Sequence, residues 1–320
     1  MKTKITYVLA ALICLAALVA ASCSASGPTA SASPTEASTV TTDSVAGDSE
    51  NASQTATSQT NTSKTDTSEG ATSETTVATT TDGETSISIE KVTTGSGSDT
   101  VTYYVADVVL SSGSDLQAGL SGGEFGADAE DTSTIAEASG ALLAINGDYY
   151  SARDDGVIIR NGVLYRDVPT RMGLAIYKDG TMKIYDETEI SAEELLADGV
   201  WNTYSFGPAL LDAGVIGANL DTVEVEADPK HPIQGSQPRT GVGIVSQNHF
   251  IFIVVDGRSE GYSRGVTLTE FAQIFKDLGC TTAYNLDGGG SSAMYYQGEI
   301  VNQPLGRNNE RAVSDILYVR

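Results

Sequence analysis

Three stretches of this chain have strand-like apolar segments on both sides of a short turn, which is the pattern of an antiparallel β-hairpin. The turns lie at Asp179–Gly180, near Gln247–Asn248 and at Gly298. Residues 101–110, with the sequence VTYYVADVVL, predict a further strand. Because each of these strands must bury at least one face, the hairpins constrain the fold more than any other feature of the sequence.

The sequence predicts only a few helices. TLTEFAQIFKDLG has Thr267 and Glu270 at the spacing of a capping box, followed by an apolar stripe and a terminal glycine. SAEELLADG repeats the box at Ser191 and Glu194, and DTSTIAEASG predicts a weaker helix that ends at Gly140. We therefore expect an α+β (mixed α/β) fold, a strand-rich single domain with a few helices packed on the sheet.

The N-terminal part of the chain carries signals for export and for a linker. Residues 1–22 combine two lysines with a long apolar run, as in a secretory signal peptide. Cys23 follows small residues in VAASC, which resembles a bacterial lipoprotein cleavage box and implies a lipid on its thiol. An ordinary signal peptide, or an uncleaved signal anchor, is the alternative. Residues 23–85 are rich in Ser, Thr and Ala, so we expect a disordered linker there.

Residues 86–320 are then expected to form one domain outside the cell, held at the outer face of the bacterial membrane by acyl chains alone. The formal net charge of −24 argues against nucleic-acid binding, which needs a basic face. Cys280 is the one cysteine of this domain, so no intrachain disulfide is expected, and we predict that its thiol is buried. No sequence pattern indicates an oligomeric state.

Two segments of the domain repeat the same order of features. Each has a helix, a glycine, an apolar strand and then Ala-x-Asn-x-Asp in a polar loop. The repeated residues are Ala144, Asn146 and Asp148 in the first segment and Ala283, Asn285 and Asp287 in the second. If the two strand ends lie side by side, they form a pocket lined by two Asn and two Asp, because ligands collect beyond the carboxyl ends of strands.

Further polar residues follow apolar strands and are candidates for chemistry. Arg239 and Arg258 could hold phosphate oxygens through bidentate bonds, and Asp256 and Glu310 add carboxylates, with Arg311 beside Glu310. The glycine-rich loop could present free N–H groups and hydroxyls to an anion; its members are Gly288, Gly289, Gly290, Ser291 and Ser292. Each of these residues could instead be an ordinary turn residue or part of a surface ion pair.

The clustered acids allow two kinds of chemistry. Carboxylates near an anion site fit cleavage of a glycosidic bond, in which one acid protonates the leaving oxygen and another stabilises or attacks the sugar carbon. Asp148 and Asp287 could alternatively hold a divalent cation such as Ca²⁺ through oxygen ligands. A zinc site built on histidine is not expected, because neither of the two histidines has a companion at ligand spacing.

Several motifs together resemble the phosphodiester glycosidase family. They are AINGDYY, PRTGVGI, the stretch from VVDGRSEG to NLDGGGSSAM, and NERAVSDILYV, and they cover most of residues 86–320. The resemblance implies hydrolysis of a sugar-1-phosphodiester. It places six residues on motif positions: Asp148, Arg239, Asp256, Arg258, Asp287 and Glu310. Because these acids and arginines share strand-end loops, we expect Glu310 or Asp287 to be the general acid and the arginines to bind the phosphodiester. Asp148 and Asp256 would position sugar, water or metal. Asn146, Asn285 and the glycine loop would add substrate contacts.

The leading hypothesis is therefore a surface-tethered hydrolase of sugar-1-phosphodiesters in cell-wall or extracellular glycans. One alternative is a non-catalytic protein that binds anionic polysaccharide. Another is a glycoside hydrolase of exopolysaccharide processing that needs no phosphate. A buried acid that faces an arginine-lined cleft would favour catalysis, whereas a shallow exposed groove would favour binding.

Overall fold

The computed structural model describes residues 64–66, 72–223 and 233–320. The predicted signal peptide and Cys23 lie outside these residues. Strand pairing begins before residue 86, because the strand Thr72–Asp82 pairs with the strand Thr85–Thr94. The predicted linker of residues 23–85 is therefore too long at its C-terminal end. Among the described residues, no helix has the length and apolar character needed to cross a membrane.

The described residues form nineteen strands and three α-helices. The strands are β1 Lys64–Asp66, β2 Thr72–Asp82, β3 Thr85–Thr94, β4 Val101–Val109, β5 Gln117–Leu120, β6 Leu143–Asn146, β7 Gly156–Arg160, β8 Val163–Val168, β9 Met172–Tyr177, β10 Met182–Asp186, β11 Val200–Tyr204, β12 Ala209–Asp212, β13 Val215–Ile216, β14 Arg239–Ser246, β15 His249–Val255, β16 Thr282–Asn285, β17 Met294–Tyr296, β18 Glu299–Ile300 and β19 Asp315–Val319. The helices are α1 Thr132–Ser139, α2 Ala192–Ala197 and α3 Leu268–Asp277.

Two large sheets form the centre of the domain. The first has nine strands in the order β1-β2-β3-β4-β15-β14-β16-β12-β13, and the second has five in the order β18-β17-β6-β19-β5. A three-stranded sheet, β10-β9-β11, and the hairpin β7-β8 complete the described strands. Every strand pair in this part of the chain is antiparallel, so the domain lacks the parallel sheet of α/β proteins.

Side chains of the two large sheets alternate between separate cores. In β15, Phe250, Phe252 and Val254 lie in the largest core, which also takes residues from the second sheet such as Leu317. The intervening residues of β15 lie instead in a second core, with α3. In β19, Ile316 faces a third core that contains residues of α1. The two sheets thus pack face to face, with α3 on the outer face of one and α1 on the outer face of the other.

Helix α3 lies very close to the first sheet. Its N-terminus has the predicted capping box, since Thr267 accepts from the Glu270 amide and Glu270 accepts from the Thr267 amide. Beneath it, a Cβ atom at Gly241 or Gly243 of β14 would come within 3.0 Å of Phe271 or Phe275 ring atoms. Only glycine at these two strand positions lets the helix approach so closely.

The strand-rich character with a few helices is confirmed, and so are the three predicted hairpins and the strand over residues 101–110. Each of the three predicted helices is present. Cys280 is buried in the core beneath α3, and burial raises the pKa of its thiol to about 12. The thiol is therefore a packing group, as the sequence predicted.

Candidate active site

The ends of β6 and β16 meet although the two strands belong to different sheets. The amide of Asp287, just after β16, donates to the carbonyl oxygen of Gly147, just after β6, at 3.3 Å. The Asn146 side chain donates from Nδ2 to the Asp287 carbonyl oxygen at 2.7 Å and accepts at Oδ1 from Thr240 Oγ1, also at 2.7 Å. The predicted adjacency of the two strand ends is thus observed, across sheets rather than within one.

A cavity of roughly 480 Å³ opens beside this junction. Its walls come from the segments that follow β6, β15 and β16, the start of β14 and the segment before β19. The lining residues are Ala129, Tyr149, Ser151, Ala152, Arg153, Phe206, Ile233, Gln237, Pro238, Arg239, Arg258, Asn285, Asp287, Gly288, Gly289, Ser291, Arg311, Ala312, Val313 and Ser314. This volume suits a small ligand such as a sugar with a substituent.

Asp287 is the one carboxylate among the residues that line the described cavity. Its side chain is 12% exposed and forms an ion pair with Arg311, whose Nη2 lies 2.9 Å from Oδ2. Its other oxygen, Oδ1, accepts from the Gly288 amide at 2.9 Å. Burial raises the pKa of Asp287, and the guanidinium of Arg311 opposes that rise. A carboxylate with a raised pKa in a cavity is typical of a group that transfers protons.

Further arginine side chains line the same cavity as this acid. Arg258 is exposed, has φ of +56° and donates from Nε to Gln237 Oε1 at 2.8 Å. Arg153 donates to the Ser205 carbonyl oxygen and lies over the rings of Tyr149 and Phe206, at 4.5 and 4.9 Å from their centroids. The cavity therefore has an aromatic side and an arginine-rich side.

Arg239 lines the same cavity but is mostly engaged by backbone. Its Nε donates to Val266, and its Nη2 donates to Ile233 and Gly235, all at carbonyl oxygens. Burial lowers the pKa of this guanidinium to about 10. Arg239 therefore organises the loop at residues 233–235 and adds positive charge to the cavity wall.

The backbone amides of the glycine loop already donate hydrogen bonds to other groups of the protein. The amides of Gly288, Gly289, Ser291 and Ser292 donate to Asp287 Oδ1 and to the carbonyl oxygens of Pro238, Gly288 and Gly289, respectively. The predicted concavity of free N–H groups is therefore wrong for these four residues. Gly290 and Ser292 are buried and do not line the cavity, whereas Ser291 Oγ accepts from Arg311 Nε at 2.9 Å.

Asp148 does not reach the cavity. It is 1% exposed, its Oδ1 lies 3.0 Å from Arg160 Nη2, and its Oδ2 accepts from the Ser205 amide. Arg160 also pairs with Asp315 at 2.6 Å, so one buried guanidinium joins two aspartates below the cavity floor. Of the four residues expected to line the pocket, Asn285 and Asp287 do so, and Asn146 and Asp148 instead hold its walls together.

Asp256 and Glu310 are also engaged away from the cavity. Asp256 is buried and accepts from Asn302 Nδ2, the Gln303 amide and the Tyr262 hydroxyl. Burial raises the pKa of Asp256, and these hydrogen bonds oppose the rise. Glu310 accepts from the amide and the hydroxyl of Ser133, at 2.9 and 2.6 Å, in the first turn of α1. Its carboxylate thus stabilises a helix N-terminus, and the structure does not pair it with Asp287.

The expected cation ligands are separated as well. Asp148 faces Arg160 and Asp287 faces Arg311, so the two carboxylates do not share one oxygen-ligand site. Within residues 72–223 and 233–320, no group of three His, Cys, Asp or Glu side chains is arranged to hold a metal ion.

Comparisons with known proteins show the family of this chain. A model of the phosphodiester glycosidase family matches residues 139–320, more than half of the chain. The protein belongs to the phosphodiester glycosidase family. The matched segment contains the cavity's acid, its arginines and its aromatic side chains.

Two relatives show how far the likeness extends. The uncharacterized protein YomE, derived from the SPbeta prophage of Bacillus subtilis, is 31% identical over 193 residues, which are 58% of this chain and 29% of YomE. The chain therefore spans less than a third of that relative. The catalytic domain of zebrafish N-acetylglucosamine-1-phosphodiester alpha-N-acetylglucosaminidase, auto-inhibited by its pro-peptide, has a TM-score of 0.58 and 23% identity. The match covers 84% of that catalytic domain and 75% of this chain, and the two proteins share the fold.

Sequence reasoning assigned no role to several residues of this phosphodiester glycosidase cavity. Arg311 stood next to Glu310 in the NNER motif, but nothing in that motif showed which of the two faces Asp287. Tyr149, Arg153 and Phe206 follow strands β6 and β11 without any distinctive spacing. Tyr149 belongs to the AINGDYY motif and Arg153 follows that motif closely, which was the signal that could have indicated these two residues.

Proposed function

We propose that this protein hydrolyses the glycosidic bond of sugar-1-phosphodiesters at the outer surface of a bacterial cell. The observation that carries the proposal is the buried carboxylate of Asp287 in a cavity with four arginines, Arg153, Arg239, Arg258 and Arg311. Family membership supports a glycosidase that acts on phosphodiester-linked sugars.

The charge of the cavity is opposite to that of the whole chain. The formal net charge is −24, yet the lining residues comprise four arginines and one carboxylate. A local positive site in an acidic protein attracts a small anion while the rest of the surface repels polyanions. A single phosphodiester group fits this distribution, and extended binding of an anionic polysaccharide does not.

The number of carboxylates favours a phosphate leaving group. Hydrolysis of an ordinary glycoside uses two carboxyl groups, one of which protonates the leaving oxygen. Asp287 is the only carboxylate that lines the cavity in the described part of the chain. A phosphate monoester leaves as a stable anion, so guanidinium groups can take over the stabilising role of the second acid.

We assign the reaction steps accordingly. A water oxygen attacks the anomeric carbon and gives a proton to the Asp287 carboxylate. The bond from the anomeric carbon to the phosphate oxygen breaks, and its electron pair stays with that oxygen. Arg258 and Arg311 stabilise the phosphate monoester that forms, and the proton later passes from Asp287 to solvent. This role replaces the sequence-based expectation that Asp287 or Glu310 is a general acid.

The aromatic side of the cavity suits the sugar. Tyr149 and Phe206 supply ring faces and edges there, with centroids 5.5 Å apart. Asn285 is 1% exposed and donates from Nδ2 to the Gly207 carbonyl oxygen at 2.8 Å, which fixes the orientation of its amide. Its Oδ1 has no hydrogen-bond partner among the described residues, so it is a ready acceptor for a sugar hydroxyl or amide N–H.

The first substrate to test follows from the zebrafish neighbour, whose name specifies an N-acetylglucosamine-1-phosphodiester in α linkage. Purified protein would be given the methyl phosphodiester of α-N-acetylglucosamine 1-phosphate in ¹⁸O-labelled water. Cleavage at the anomeric carbon leaves the methyl phosphate product unlabelled. If the label appears in the phosphate, the enzyme cleaves the P–O bond, and the glycosidase proposal is wrong.

The location of the reaction is part of the proposal. VAASC at residues 19–23 supports a lipid anchor on Cys23, and the Ser/Thr-rich stretch that follows would space the domain from the membrane. Wall or extracellular glycans with sugar–phosphate links would then be within reach. Radiolabelled palmitate should be incorporated into the wild-type protein and not into Cys23→Ser. Equal incorporation into both proteins would exclude this anchor.

A further inference from the structure

Arg311 and Asp287 differ sharply in how firmly they are held. The Arg311 side chain is 52% exposed and the Asp287 side chain is 12% exposed. The backbone of Asp287 is fixed by Asn146 and Gly147, as described above. Arg311 sits after the exposed residues 307–309, and its long side chain can move without disturbing the core. When the pair separates, it is therefore the arginine that moves.

The Arg311 guanidinium already has the geometry of an anion receptor. Its Nε and Nη2 donate to Ser291 Oγ, and Nη2 also donates to Asp287 Oδ2 at 2.9 Å and to the Gly288 carbonyl oxygen at 3.3 Å. Its Nη1 donates to no group within the described ranges. Since Arg311 lines the cavity, a phosphodiester bound there competes directly with Asp287 for its donors.

Both oxygens of Asp287 are occupied while this ion pair is intact. Oδ1 accepts from the Gly288 amide and Oδ2 from Arg311, and these contacts stabilise the ionised carboxylate and make it a weaker base. The remaining charged groups are Asp315 on β19, which interacts electrostatically with Asp287, and the other cavity arginines, Arg153, Arg239 and Arg258. Loss of the Arg311 contact would leave a buried carboxylate with fewer cationic neighbours and hence a stronger base.

We propose that a bound phosphodiester takes the guanidinium of Arg311 away from the Asp287 carboxylate and so frees that carboxylate to react only when an anionic substrate is present. Arg311 thus determines specificity as well as contacting the phosphate. A neutral glycoside of the same sugar has no anionic group that could compete with Asp287 for Arg311. The ion pair between Arg311 and Asp287 therefore remains intact, and the glycoside reacts slowly. This inference rests on the proposed function, because it concerns the same cavity and the same reaction.

The test compares two substrates in four proteins. The substrates are the methyl phosphodiester of α-N-acetylglucosamine 1-phosphate and p-nitrophenyl N-acetyl-α-glucosaminide, which lacks the phosphate. The proteins are wild type, Arg311→Met, Arg311→Lys and the matched control Arg307→Met, which removes an exposed arginine from the same segment but not from the cavity.

We expect Arg311→Met to lower kcat/KM on the phosphodiester by about 10²-fold or more. The same variant should keep or increase kcat/KM on the neutral glycoside, so the preference between substrates collapses. Arg311→Lys should keep part of the preference, because it keeps the charge without the bidentate fork. Arg307→Met should match wild type. An equal loss on both substrates in Arg311→Met and in Arg311→Lys would overturn the inference.

The pH profile gives a second readout that a merely structural role would not change. The acidic limb of kcat/KM reports Asp287 in the free enzyme, and that of kcat reports it in the complex. With the phosphodiester as substrate, the acidic limb of the wild-type kcat profile should lie at higher pH than the acidic limb of the kcat/KM profile. In Arg311→Met the difference in pH between these two limbs should be smaller. Coincident limbs in wild type would refute the inference. A wild type that cleaves only the neutral glycoside would instead refute the proposed function itself.

Discussion

The Asn146 side chain donates to the backbone carbonyl oxygen of Asp287 at 2.7 Å, and this bond ties the end of β6 to the end of β16. Asn146 is fully buried and does not line the cavity. Its Oδ1 accepts from Thr240 and from the Ala293 amide, so a single amide connects three segments around the acid. The asparagine therefore positions the reacting group without touching the substrate.

Replacing Asn146 should affect turnover more than binding. Asn146→Ala leaves a carbonyl, a hydroxyl and an amide without their partner, which costs about 1–3 kcal/mol of the free energy of unfolding. Because Asp287 then loses its fixed position, we expect kcat to fall about 10²-fold with little change in KM. Steady-state kinetics and urea unfolding measure both effects. A variant with wild-type kcat and an increased KM would show that Asn146 acts on binding instead.

The two candidate acids of the sequence should behave differently when each is neutralised. Asp287→Asn should abolish most hydrolysis, by about 10³-fold or more, because it removes the only cavity carboxylate of the described residues. Glu310→Gln should keep nearly all activity and lose about 1 kcal/mol of stability, since its carboxylate contacts the N-terminus of α1. Turnover of a sugar-1-phosphodiester and thermal melting of both variants distinguish these roles. Wild-type turnover in both variants would contradict the assignment.

The glycine loop should be sensitive at Gly289 for a steric reason. This residue has φ of +61°, and a Cβ atom there would lie 3.3 Å from Arg258 Nη2. Gly289→Val should therefore displace the guanidinium and raise KM for the phosphodiester several-fold. The matched control is Gly279→Val, which has φ of +84° and open space around its Cβ position. It should lose stability and keep its KM. Equal KM values in the two variants would show that Arg258 is not a phosphate ligand.

The buried cluster of Arg160, Asp148 and Asp315 should make stability depend on pH. Burial raises the pKa of Asp315 to about 7, above the value near 4 of an aspartate in the unfolded chain. Between these two values the folded state holds a proton that the unfolded chain has lost. The free energy of unfolding contributed by Asp315 is therefore greatest below pH 4 and decreases as the pH rises to about 7.

Urea unfolding at several pH values tests this linkage. Relative to wild type, Asp315→Asn should show a flatter dependence of the unfolding free energy on pH between about 4 and 7. Asp128→Asn, at an exposed position, should keep the wild-type slope. An unchanged slope in Asp315→Asn would mean that Asp315 stays ionised beside Arg160 throughout this range.

Much of the local structure was predictable because its causes are local. Apolar segments on both sides of a turn specified the hairpins at Asp179–Gly180 and Gln247–Asn248, and capping boxes specified the starts of α2 and α3. Family motifs indicated Asp287, Asn285 and Arg258 as site residues, and these three do line the cavity. The spacing of apolar residues and the capping of helices act over a few residues, so both can be recognised from the sequence alone.

The tertiary structure decided which polar side chains share a space. Asp148, Asp256 and Glu310 have the same chemistry as Asp287, but each accepts a hydrogen bond from a residue far away along the chain. The sequence suggested that the ends of β6 and β16 lie side by side, and the structure brings them together from two different packed sheets. Such contacts depend on how the sheets pack and on which side chains form hydrogen bonds with each buried polar group. Both depend on the whole fold and not on local sequence. The sequence by itself determined three hairpins, the strand at residues 101–110, the three helices and the supply of acids and arginines. The packing of the sheets decided that Asp287 faces the cavity and that Arg311 lies against it, because those contacts join distant parts of the chain.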